Sequence, residues 1–69
     1  MIEVFKTNVS DRRHANSVIE LIHRKFPGYK ANFDLEDCDK VLRVEGKNIP
    51  QKKIARLVVE NGYLCSVLE

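Results

Sequence analysis

"KANFDLEDCDKVLRVEG", residues 30–46, decides the fold. Its first half alternates, with Ala31, Phe33 and Leu35 on one face, and "VLRVEG" resumes the alternation with Leu42 and Val44 aligned. Between them "DCDK" is a run of turn formers. Two alternating strands around a polar tip make a β-hairpin, which Gly46 closes. A hairpin alone is at best marginally stable in water, so its apolar face requires further elements to cover it.

The flanking segments supply them. Upstream, "IEVFKT" (residues 2–7) is β-branched and aromatic and reads as a strand. From Ser10 the period changes: Ala15, Val18, Ile19, Ile22 and Phe26 follow helical i, i+3, i+4 spacing and form one apolar stripe. Ser10 or Asp11 can cap this helix by accepting a backbone N–H bond, and Pro27-Gly28 ends it. Downstream, "NIPQKKIARLVVENGY" predicts a second helix with Pro50 in its first turn, Ile54, Leu57 and Val58 as its stripe, and Asn61-Gly62 as its stop. "YLCSVLE" is a last short strand. The order is β-α-β-β-α-β. Two helices with one stripe each must cover one face of a four-stranded sheet. Right-handed crossovers then predict an α+β, ferredoxin-like two-layer sandwich over residues 1–69, a single domain with strand order 4-1-3-2.

Composition narrows the function classes. A chain of 69 residues supports one two-layer core, and 43% hydrophobic with 32% charged residues excludes a disordered segment. The net charge of +2, with acidic groups interleaved among basic ones, gives no reason to expect nucleic acid. RNA-recognition domains share this element order and stack bases on sheet aromatics. If Ile2 and Val4 face the helices, Phe5 lies on the open sheet face beside Val41 or Arg43, and one aromatic is no stacking platform. No apolar run approaches the ~18 residues of a membrane span, and "MIEVFK" lacks the basic and apolar regions of a secretory signal. The two cysteines, Cys38 and Cys65, form no CxxC and no disulfide framework, which favours a reducing, cytoplasmic setting. On outer strands they would lie about 14 Å apart, beyond the ~7 Å Cα reach of a disulfide. Cys65 is expected to point inward with Val67, and Cys38 to be the accessible thiol.

The pieces "FDLEDCDKVLRVEG" and "IARLVVENGY" resemble the V-D-L … V-x-V-x-G hairpin and the I-x-x-A-I-x-x-A-G-Y helix end of heavy-metal-associated domains. Those domains are the fold of copper chaperones and of metal-transporting ATPase modules. Val18 and Ile22 also sit at the spacing of that family's first-helix core. The resemblance covers nearly the whole chain and implies a thiol metal site, M-x-C-x-x-C, in the first loop. That motif is missing. One register places Asp11 and His14 at the cysteine positions and Val9 at the methionine; the neighbouring register places Ser10 and Arg13 there. Neither supplies a thiol. Cu(I) selects soft sulfur ligands, so a transferable Cu(I) site is not expected. Zinc suits His and Asp better, but two ligands build only half of the usual four-coordinate shell.

Two readings follow for "KTNVSDRRHA" (residues 6–15) and its surroundings. The topology brings Ser10, Asp11, Arg12, Arg13 and His14 to the same end as Glu36, Asp37, Cys38, Asp39 and Tyr63, so Arg12 and Arg13 are expected to face the acidic hairpin tip. In the first reading the chain is a protein-interaction module with no cofactor, contacting its partner through Arg12, Arg13, Asp37, Asp39 and Tyr63. Without a partner these are surface charges worth less than ~1 kcal/mol per pair. In the second it binds or delivers a metal ion through Asp11 and His14; His23, off the apolar stripe, reads as a solvated helix residue. An enzyme is not expected: no nucleophile elbow, P-loop or dinucleotide fingerprint occurs.

Overall fold

In the computed structural model, which describes residues 1–68, β1 (Ile2–Thr7), β2 (Lys30–Asp34), β3 (Val41–Glu45) and β4 (Cys65–Val67) form one antiparallel sheet. Helix α1 (Arg12–Lys25) joins β1 to β2, and α2 (Gln51–Glu60) joins β3 to β4. The strand order, β2-β3-β1-β4, is the 4-1-3-2 arrangement expected from the periodicities, a ferredoxin-like α+β fold. Among the described residues no helix is long and apolar enough to cross a membrane.

Each helix buries the stripe its spacing predicts. Ala15, Val18 and Ile22 of α1 and Ile54 and Val58 of α2 are buried against Phe33, Leu42 and Val44 of the sheet, with Ile19, Phe26 and Leu57 half-buried at the margin. Asn61 caps α2 and Gly62 takes φ +96, the left-handed turn that favours glycine at a helix end. Pro50 is the N-cap residue rather than the first helical one. The hairpin strands are shorter than their alternation suggests. β2 stops at Asp34 because the backbone beyond it is drawn into turns by the side chains of Asp34 and Asp37, which accept the N–H groups of Glu36 and Asp39 at 3.2 and 2.8 Å.

One expectation is overturned. Phe5 does not lie on the open face: it is fully buried, while Ile2 is 57% exposed. The pairing Phe5↔Leu42 and Glu3↔Val44 puts Glu3, Phe5 and Thr7 on the helix side and Ile2, Val4 and Lys6 on the open side. A strand with apolar residues at 2, 4 and 5 suits either parity. The chain adopts the one that buries the aromatic ring, the largest apolar area available in β1. Val41, on the open side of β3, is nonetheless almost completely covered.

Tyr29 anchors the far end of the sheet. Its ring stacks on Phe26 at 5.7 Å, lies against the Gly46 backbone, and sends its hydroxyl to the carbonyls of Lys47 and Asn48 at 3.0 and 2.9 Å. The packing leaves no room for a side chain at Gly46.

Candidate functional site

The β1–α1 loop, the β2–β3 hairpin tip and the turn into β4 meet at one end of the sheet. Thr7 ties the first two together. Its hydroxyl donates to the Lys40 carbonyl at 2.6 Å and accepts the Val9 N–H at 3.2 Å, while its own N–H donates to the Asp39 carbonyl at 3.0 Å. Val9 is thereby drawn fully into the core, and the loop is pinned at both of its sides. Lys40, at φ +47, turns the chain out of the tip and donates through Nζ to the Leu35 carbonyl at 2.9 Å. Asn8 reaches the third segment, its Oδ1 accepting the Leu64 N–H at 2.8 Å.

Asp11, rather than Ser10, caps α1. One carboxylate oxygen accepts the His14 backbone N–H at 2.8 Å and the other meets His14 Nδ1 at 2.7 Å. The backbone N–H of His14, followed by its ring, holds the exposed Asp11 carboxyl below its ordinary value of 3.8. The His14 ring leans on Tyr63, centroid to centroid 6.0 Å at a tilt of 58°. The two residues expected as metal ligands are thus in contact, but bonded to each other. Among the described residues no third His, Cys, Asp or Glu joins them in a cluster. His23 is exposed on α1, as expected.

The charged residues divide differently from the expectation. Lys6, not Arg12 or Arg13, approaches the acidic tip, with Nζ 3.6 Å from Asp39 Oδ1. The physical reason is the Thr7–Asp39 backbone bond, which curls the tip onto the end of β1, where Lys6 is its neighbour. Arg12 and Arg13 are exposed on the first turn of α1 and make no ion pair among the described residues. Asp37 is exposed, Asp39 and Tyr63 half-buried. Donor atoms of Asp37, Cys38 and Asp39 lie within 4.8 Å of one another. Both carboxylates there already serve the turn or Lys6.

The thiols behave as their positions dictate. Cys38 is exposed at the tip. Cys65, opposite Thr7 on the helix side of β4, packs against the core, and burial pushes its thiol from 9.0 up to about 11. Burial thus disfavours the reactive thiolate form.

Beside this end runs an open groove between α2 and β4, lined by Val59, Leu64 and Cys65 with Lys6, Thr7 and Asn8. Val59 and Leu64 are exposed apolar side chains, 50% and 68% accessible. Neither stood out in the sequence, although both signals are there: Val59 falls just outside the α2 stripe, and Leu64 alternates outward from Cys65. The chain matches no protein-family model, no curated protein and no solved structure.

Proposed function

We propose that this chain is a small, non-enzymatic module on a heavy-metal-associated-like scaffold that has no thiol metal site and binds another protein through the end of the sheet where the three loops meet. Arg12, Arg13, Asp37, Asp39 and Tyr63 are the polar contact residues, and Val59 and Leu64 add an apolar centre beside them. The observation that carries the reading is the mutual bonding of Asp11 and His14: both carboxylate oxygens are spent on the helix start, so this loop has the chemistry of a cap. Two guanidinium groups that make no ion pair among the described residues, at the same end of the sheet as exposed apolar side chains, match the composition of protein interfaces, in which arginine is enriched around an apolar core. A reducing, cytoplasmic setting suits two free cysteines.

A metal-binding reading has one observation in its favour. With Nδ1 held by Asp11, the other ring nitrogen of His14 remains to meet a cation. Calorimetric titration with Zn²⁺, Cu⁺ and Ni²⁺ separates the two. The interaction reading expects no uptake at micromolar metal, and partner capture that is lost on joint Arg12→Glu and Arg13→Glu reversal. Tight uptake abolished by His14→Ala establishes the metal reading instead.

A further inference from the structure

The outer edge of β2 has a definite chemistry. Gly46 N–H donates to the Met1 carbonyl at 3.0 Å, one step beyond the Ile2↔Glu45 pair, so hydrogen-bonded pairs in the β1–β3 ladder fall on Gly46, Val44 and Leu42. Val41, Arg43 and Glu45 therefore turn their amides the other way, toward β2. Their partners there are Asp34, Asn32 and Lys30. The N–H and C=O groups left on the free edge are those of Ala31 and Phe33, and among the described residues no other element bonds to them.

We infer that this edge is a self-association surface, on which a second copy of the chain adds its own β2 antiparallel about a two-fold axis through Asn32. In that register Ala31 of each copy stands opposite Phe33 of the other, so every free edge amide and carbonyl meets its complement. Lys30 of each copy falls opposite Asp34 of the other. The match continues a pattern already present across the sheet: Glu45 faces Lys30 within one chain, Lys30 faces Asp34 across the seam, and Arg43 flanks Asp34 at 3.8 Å beyond it. Opposite charges meet at each of these three contacts. The join makes one eight-stranded sheet from two four-stranded ones, with both α1 helices on the same face of the sheet, one to each side of the seam.

The two edges of the sheet differ in a way that selects β2. β4 is three residues long, a length that blunts an edge against pairing. β2 has five residues in unbroken register with β3, no proline, no bulge and no charge on its helix face. Within β2, only the two-fold through Asn32 sets its single lysine against an aspartate.

Reciprocal charge exchange tests it, with sedimentation velocity over a concentration series as the readout. The parent chain is expected to approach twice its 8.0 kDa mass as concentration rises. Lys30→Asp or Asp34→Lys alone sets like charges opposite each other twice per dimer and weakens self-association by roughly tenfold or more. Mixing the two variants restores it, because each then presents the complement of the other; a variant that merely unfolds is not rescued by mixing. Ala31→Pro, which removes an outward N–H and leaves the β3 ladder intact, is expected to keep the monomer fold and stay monomeric. A parent chain that remains monomeric throughout overturns the inference. So do self-association unchanged in the Lys30→Asp, Asp34→Lys and Ala31→Pro variants, and folded charge variants that fail to pair when mixed.

Discussion

Replacing Thr7 by valine keeps the volume of the side chain and removes one oxygen. That oxygen serves two partners, the Lys40 carbonyl at 2.6 Å and the Val9 N–H at 3.2 Å, and Thr7 itself is 6% exposed. Each buried group left without a partner costs about 1–3 kcal/mol. The Lys40 carbonyl is only partly buried, so the lower half of that range applies to it, and the extra methyl of valine returns about 0.8 kcal/mol. The net loss is about 2–3 kcal/mol. A chain of 69 residues has a total stability of roughly 3–10 kcal/mol, so this is a large fraction. Urea denaturation followed by circular dichroism reads it directly: at about 1 kcal/mol/M the midpoint falls by about 2–3 M. Thr7→Ser is the informative partner, since it keeps the hydroxyl and loses a methyl worth about 0.8 kcal/mol. Serine must therefore be milder than valine, against the order that hydrophobicity alone dictates. Amide exchange at Val9 should accelerate in the valine variant and stay slow in the serine one. A valine variant as stable as the parent, or more stable than the serine variant, refutes the claim that this hydroxyl locks the loop to the hairpin tip.

The thiols, the helix cap and Gly46 each give a further expected outcome. In the native chain a disulfide reagent near neutral pH should label Cys38 rapidly and Cys65 slowly, with both equal after denaturation. Because the Cys65 thiol is raised from 9.0 to about 11 in the fold, its stabilising contribution is intact below pH 9.0 and is lost as pH rises toward 11. Thermal midpoints of the parent should therefore drop more steeply across that window than those of Cys65→Ala, and parallel curves would contradict the burial argument. Asp11 works in the opposite sense: its folded value is lowered, so its contribution is present above 3.8 and disappears as pH falls below it. The stability gap between the parent and Asp11→Ala should close in acid, while Asp11→Asn, which keeps an acceptor for the His14 N–H, should track the parent more closely at neutral pH. Gly46→Ala pushes a methyl into the Tyr29 ring and should cost about 1–3 kcal/mol in urea unfolding. A double-mutant cycle with Tyr29→Ala should recover part of that loss, and strict additivity would mean the ring is not the obstacle.

Much of this protein follows from local pattern. The stripe Ala15–Val18–Ile22, the pair Ile54–Val58, the hairpin around "DCDK" and the Asn61-Gly62 stop are each set by neighbours a few residues apart, and the sandwich is the arrangement that covers their apolar faces. The Asp11 cap on His14 is of the same kind, an i to i+3 bond written within one turn. Other features depend on partners far away in the chain, and periodicity is blind to them. The facing of β1 was ambiguous because apolar residues occupy both parities, and only pairing against Leu42 and Val44 put Phe5 inside. The Thr7 hydroxyl finds Lys40 across 33 residues, and the neighbouring bond from the Thr7 N–H to the Asp39 carbonyl is what sets Lys6 rather than Arg12 or Arg13 beside the acidic tip. The order of the strands likewise makes β2 a five-residue edge with Lys30 and Asp34 at opposite ends of its open face. Local backbone preference and side-chain period are carried by adjacent residues; which surface is buried, and which edge is left open, is settled only when distant segments compete for the same core.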